Sequence, residues 1–170
     1  MSFLNLAKQR CSIRAYEPTP VEPEKIAAIV EAAHVAPTAA NRQPVRIIQV
    51  ASAEGLAKLG KAANVHGAPL AFIVCADRDR AWHRPVDGMV TTDIDASIIT
   101  DHMMLAAADL GLGSVWICAF NPQVVRDEFN LPDALVPVNI LAVGHAACEF
   151  KDPERHASER IPVNELVTEA

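Results

Sequence analysis

Apolar residues fall along this chain in two spacings, and those spacings divide it into helices and strands. The longest patterned stretch runs from Asp93 to Phe120. Its first part carries Asp93, Asp95 and Asp101, and the early carboxylates suit the positive end of a helix dipole. Its second part, Met103 to Ala108, is apolar on nearly every face. Such a helix is buried in a core or under a partner subunit. Gly111 stands in the usual helix-ending position. Roughly eighteen residues at ~1.5 Å each predict a rod of about 27 Å. A glycine turn, Gly111-Leu112-Gly113, then feeds an apolar strand that ends near Phe120. The small residues at its end would let a flat ligand approach the backbone closely.

The other elements follow in order. Ser2 to Gln9 reads as a short helix with Phe3, Leu6 and Ala7 on one face. Pro23 is placed to begin a second helix, with Ile26, Ile29, Val30 and Ala33 as its buried stripe. Ala36 to Pro44 is a loop of small residues and amides, followed by a strand from Val45 to Val50. Ser52 caps a helix over roughly Ala53–Ala63. Leu70 to Ala76 is continuously apolar, which predicts a central strand covered on both faces. Asn121-Pro122 opens a helix to about Phe129, and Val138 to Val143 is a second central strand. The tail from Cys148 to Ala170 is polar.

Composition narrows the class. The chain has 170 residues, 51% hydrophobic and 21% charged, which predicts one globular domain over 1–170. No run of eighteen apolar residues lacks charge, so no membrane span is expected. The N-terminus shows no basic start or long apolar run, so no signal peptide is expected. The net charge of -6 argues against general nucleic-acid binding. Four cysteines, Cys11, Cys75, Cys118 and Cys148, lie far apart without CxxC spacing. That pattern fits reduced thiols in a cytoplasm. Cys75 and Cys118 sit in apolar runs, where a small core role is the plain expectation.

Three stretches could carry chemistry. In an extended segment alternate residues share a face, so Arg10, Ser12 and Arg14 would point together. Two guanidinium groups and a hydroxyl suit a phosphate or another delocalised anion. A solvated surface strand is the alternative. In the Ala36–Pro44 loop, the amides of Asn41 and Gln43 can donate and accept, or the loop is simply a polar turn. Between Asp77 and Thr92 runs a long loop with Trp82, His83 and Arg84, which gates a site or packs as a surface flap. Other motifs fail. The Gly111-Leu112-Gly113 pair follows a helix and lacks the third glycine of a dinucleotide fingerprint. The six histidines show no HxxxH or HExxH spacing, so no zinc site is expected. Ser114 has no GxSxG setting.

Taken in order, Arg10-Cys11-Ser12-Ile13-Arg14, Ala36-Pro37-Thr38-Ala39-Ala40-Asn41-Arg42-Gln43-Pro44, and Gly111-Leu112-Gly113-Ser114-Val115-Trp116-Ile117-Cys118-Ala119-Phe120 resemble the FMN-dependent nitroreductase family. The resemblance covers nearly the whole chain, and the loop around Trp82 to Gly88 resembles a nitroreductase-like subgroup. It implies an α+β fold with a mixed, mostly antiparallel sheet flanked by helices. It also implies an interlocked homodimer holding FMN at the subunit interface. By this likeness, Arg10 and Ser12 match residues on the FMN phosphate and ribityl chain, with Cys11 between them where a basic residue is frequent. Arg14 matches a basic residue near the pyrimidine edge. Thr38, Ala39, Asn41 and Gln43 match a loop reaching the flavin from the partner subunit. Trp116, Ile117, Cys118 and Ala119 match the segment lining the ring, and Arg160 matches a C-terminal phosphate ligand. Ser158 stands where a lysine is common.

The implied activity is an oxidoreductase that passes electrons from NAD(P)H through FMN to a nitro compound, quinone or similar small acceptor, by a ping-pong mechanism without a catalytic side chain. Dehalogenation or flavin degradation on the same fold is one alternative. A non-enzymatic FMN-binding or ligand-sensing dimer is another.

Overall fold

The computed structural model describes residues 2–169; the end residues of the expected domain, Met1 and Ala170, lie outside them. Four strands form one sheet: β1 (Val45–Val50), β2 (Leu70–Asp77), β3 (Gly113–Ile117) and β4 (Leu135–Gly144), in the spatial order β1-β2-β4-β3. All three pairings are antiparallel. The parallel component is a single bridge, Ser12 to Ser114, where the N-terminal segment meets the outer edge of β3. The two strands expected to be central are so. In β2, every residue from Leu70 to Ala76 is buried. β4 begins earlier than its apolar run suggested. The register shifts between Val74 and Cys75, whose partners are Asn139 and Pro137. Val138 is thus the extra residue of a bulge, and a bulge is where a strand interior tolerates proline.

Helices cover both faces. On one lie α2 (Pro23–Val35) and α4 (Thr92–Asp109), with Ile29, Ala33, Ala96, Ile99, Met103 and Ala107 packed on Phe72, Val74, Leu141 and Val143. On the other, α3 (Ala53–Gly60) and α5 (Pro122–Phe129) place Leu59 and Val125 against Ile73, Cys75, Ile140 and Ala142. A short α1 (Phe3–Gln9) and two four-residue helices, α6 (His156–Glu159) and α7 (Val163–Leu166), lie outside these layers.

Capping explains the boundaries. Ser52 Oγ accepts from Gly55 N at 3.1 Å, and Asn121 Oδ1 accepts from Gln123 N and Val124 N at 3.0 and 3.2 Å. α3 stops at Gly60, short of the expected Ala63. At the end of α4, Gly111 has φ of 74°, and Leu112 N donates to Ala107 O at 2.9 Å, which satisfies a carbonyl the helix leaves free. Two residues later, Gly113 has a different task. A Cβ there would lie 2.9 Å from the Ile13 side chain, so glycine lets the N-terminal segment cross the strand.

In α1, Phe3 is exposed and no residue is buried. Two expectations of burial need correcting. Val30 is exposed, because α2 turns only Ile29 and Ala33 fully into the core. Cys118 falls just past the end of β3 and faces solvent, so it is not a core residue.

Candidate functional site

Extended backbone after α1 does what its alternation demands. Cys11 and Ile13 are buried, whereas Arg10 and Ser12 are half-buried and Arg14 is exposed. Ile13 N donates to Ser114 O at 2.9 Å, and Tyr16 Oη donates to Ile13 O at 2.8 Å. These bonds fix the segment against the sheet. Cys11 therefore points into the core, where its Sγ accepts from Lys151 N at 3.4 Å. Only its backbone is left for a ligand, so the thiol does not stand in for the basic residue frequent at that position.

A second arginine comes from an unexpected quarter. Arg155 donates to Arg10 O at 2.7 Å, Lys8 O at 3.1 Å and Asp152 O at 2.8 Å. His156 Nε2 lies 3.2 Å from Lys8 O, and Arg160 Nε lies 3.4 Å from His156 Nδ1. The C-terminal segment is thus stitched to the end of α1, and it brings Arg155 and Arg160 up to Arg10. Burial and these two cations hold the Arg10 guanidinium below its ordinary pKa, against a smaller opposing pull from Cys11 and Asp101. Among the described residues none of the three arginines forms an ion pair. Clustered cations that form no ion pair suit an anion. Beside them runs a groove of about 410 Å³, lined by Gln9, Arg10, Ala108 and Gly111 on one side and by residues 150–153, Asp152 among them, on the other.

Trp116 and Ile117 end β3, and Cys118 and Ala119 follow it. Trp116 pairs with Leu141, and its Nε1 is buried without a hydrogen-bond partner. A buried orphan donor costs about 1–3 kcal/mol unless something accepts from it. Ile117 is buried, and Cys118 and Ala119 are exposed. Since β3 is an edge strand, its outer side is open beyond the Ser12 bridge.

The loop with Thr38, Ala39, Asn41 and Gln43 lies elsewhere. It leads into β1, the opposite edge of the sheet. Three strand spacings separate the two edges, about 14 Å at ~4.8 Å each. Its anchor is Asp95 near the start of α4, whose Oδ1 accepts from Ala39 N at 2.7 Å. Arg10 instead shares a groove with Ala108, near the end of α4, some ~20 Å along the helix from Asp95. One chain does not bring the loop and the cation cluster together.

That loop is held in an unusual shape. Ala40, Asn41 and Gln43 have φ of 48°, 51° and 50°, a left-handed conformation that costs non-glycine residues energy unless neighbours impose it. Gln43 N donates to Thr38 Oγ1 at 3.0 Å, and Gln43 Nε2 to Asn41 Oδ1 at 3.1 Å. Next to it, residues 82–91 fold back as a short hairpin, with His83 bridged to Val90 and Arg84 Nε donating to Asp87 Oδ1 at 2.7 Å. Arg42, Asp79, Arg80 and Ala81 together with Trp82 and His83 at the start of the hairpin line a cavity of about 480 Å³.

Reading the residues alone missed Arg155 and Asp95. Arg155 was visible only as one of two arginines in a polar tail. Asp95 was visible only as one of several acids suited to a helix start.

A four-stranded antiparallel sheet between two helical layers, with an arginine cluster beside its outer strand, places the chain among the α+β proteins. Within that class the chain belongs to the nitroreductase family, whose model matches residues 7–66 and 56–145. A nitroreductase family protein of Clostridium difficile 630 shares 52% identity and a TM-score of 0.97, covering 99% of this chain and 98% of that one. An FMN-dependent nitroreductase of Clostridium difficile R20291 shares 27% identity and a TM-score of 0.76, over 94% of this chain and 98% of its own. A Methanothermobacter thermautotrophicus protein, provisionally named an NADH dehydrogenase/NAD(P)H nitroreductase, is 32% identical over 91% of this chain and 85% of its own length.

Proposed function

We propose that the chain is a single-domain FMN-dependent NAD(P)H oxidoreductase that works as a homodimer. The observation that carries this reading is the Arg10–Arg155–Arg160 cluster, which has no ion-pair partner among the described residues. FMN has the complementary dianionic phosphate at one end and a flat ring at the other. The orphan Nε1 of Trp116 fits the same group, because a flavin offers acceptors that the protein around this indole does not. FMN-dependence is in the name of the Clostridium difficile R20291 relative, and NAD(P)H is in that of the Methanothermobacter thermautotrophicus relative.

In this reading Arg10, Ser12 and Arg160 hold the phosphate and ribityl chain, and Arg155 fixes the backbone that presents them. Arg14 sits four residues on, about 13 Å in extended chain, and supplies positive charge at the pyrimidine edge. The segment from Trp116 to Ala119 lines the ring, and its small exposed end leaves room over one face. Thr38, Ala39, Asn41 and Gln43 come from the partner, because within one chain they lie across the sheet. A two-fold axis brings each loop to the other chain's β3 edge and completes two equal sites. FMN held there would supply two-electron chemistry between NAD(P)H and a nitro, quinone or similar small acceptor, the two using the cleft in turn. The protein orients the cofactor and supplies fixed charge, and no side chain of the site need act as acid or base. Exposed free thiols at Cys118 and Cys148 support a cytoplasmic, reducing location.

The test is the visible spectrum of purified protein. A yellow dimer whose flavin bands bleach on adding NADH or NADPH, and return on adding a quinone, is expected. A colourless protein that does not take up added FMN overturns the proposal. A bound flavin that neither nicotinamide bleaches would favour the ligand-sensing alternative.

A further inference from the structure

Asp95 is fully buried, at 0% exposure, and among the described residues it has no cationic partner. Each of its oxygens is nonetheless engaged. Oδ1 accepts from Ala39 N at 2.7 Å, and Oδ2 accepts from Thr91 Oγ1 at 2.9 Å. The first bond reaches the Thr38–Gln43 loop. The second reaches the base of the 82–91 hairpin, because Thr91 N also donates to Trp82 O at 3.1 Å. A carboxylate with no counter-cation is costly to bury. Here the positive end of α4 and two hydrogen bonds offset that cost. The bond to Ala39 immediately precedes the three residues with left-handed φ, so it lies where the loop most needs an external hold.

We infer that Asp95 is a positioning residue that clamps the Thr38–Gln43 loop and the 82–91 hairpin into one unit, so that both move together when a ligand enters or leaves. This rests on the proposed function only in assigning that loop to the flavin. The clamp itself is a property of the chain. A carboxylate serves both partners at once, because it accepts two hydrogen bonds through two oxygens on a planar group. Asparagine keeps one acceptor for Ala39 N and offers Nδ2 to Thr91 Oγ1. Alanine serves neither.

The experiment is amide hydrogen exchange on the cofactor-free protein, with FMN titration alongside. Asp95→Ala is expected to speed exchange in both 38–43 and 82–91 by at least about tenfold, while amides of β2 and β4 stay protected. Asp95→Asn is expected to restore protection in both segments. Thr91→Val cuts only the arm to the hairpin, so it loosens 82–91 more than 38–43, and Thr91→Ser restores it. FMN affinity falls about tenfold or more in Asp95→Ala, the size expected on losing a hydrogen bond to a charged group, and recovers in Asp95→Asn. If only one segment responds to Asp95→Ala, or neither does, the clamp is wrong. If FMN affinity stays within twofold of the parent while both segments loosen, the clamp stands and the assignment of the loop to the flavin falls. Should Asp95→Ala fail to fold, the Thr91→Val and Thr91→Ser pair decides: unchanged exchange in 82–91 overturns the inference.

Discussion

The two central strands and the C-terminal arm obey opposite rules. From Leu70 to Ala76 the chain is fully buried, with helices on both faces. From Ile161 to Val167 the otherwise polar tail carries four aliphatic residues, yet Val163 is 77% and Leu166 69% exposed. Burying an aliphatic side chain is worth about 1.5–3 kcal/mol, so the sheet draws on that energy and the arm, within one chain, does not. The difference teaches that the chain is folded but not finished. Its core is complete by itself, whereas its arm, the exposed Phe3 and Leu4 of α1 and the open edge of β3 are left uncovered within one chain and are what the proposed second copy would cover.

The hardest blow to the finished half is Phe72→Ala. Phe72 is fully buried in β2, and the change is expected to cost about 3–5 kcal/mol, read from denaturant unfolding. Next in size is removal of residues 161–170. If the proposed dimer forms, sedimentation is expected to show it dissociating on truncation, with FMN lost, while the β2 and β4 amides keep their exchange protection. A truncated chain that stays dimeric breaks the comparison outright. Smaller is Arg155→Ala, which removes bonds to three backbone carbonyls. It is expected to cost about 1–2 kcal/mol, the low end for bonds to a charged group since the site is open to water, and to weaken FMN about tenfold.

The smallest effects come from the cysteines and sharpen the contrast between inside and outside. Under native conditions Cys118 and Cys148 are expected to react with a thiol reagent, and the buried Cys11 and Cys75 to react only after unfolding, as counted by mass spectrometry. Burial pushes the Cys75 thiol up to about 12 from an ordinary value of 9.0. Between those pH values the unfolded chain has lost a proton that the folded chain keeps. Its contribution to stability is therefore complete below about pH 9 and is lost as pH rises toward 12. Cys75→Ala should flatten unfolding midpoints across that window. An equal slope in both proteins would show that the strand is less sealed than its packing implies.

Much of this fold could be read from residue spacing. The bounds of β1 match expectation at both ends, and Ser52, Asn121 and Gly111 mark helix ends where expected, because caps and turns are local chemistry. The outward alternation of Arg10, Ser12 and Arg14 was equally legible, since an extended backbone permits little else. Legibility failed wherever an outcome depended on distant residues. Val138 became a bulge residue because β2 lies beside it. Cys118 became exposed because β3 stopped one residue before it. Arg155 became a partner of Arg10 through contacts that span about 145 positions of chain.

By itself, then, the order of residues determined the elements, the two-sided burial of β2 and β4 and the family, because each rests on periodicity or on short motifs. Tertiary structure alone decided that Cys11 faces the core, that Asp95 joins a loop to a hairpin, and that the candidate site is split between two edges of one sheet. The physical reason is that side-chain direction follows local geometry, but a partner is chosen by whatever the rest of the chain brings within hydrogen-bonding reach.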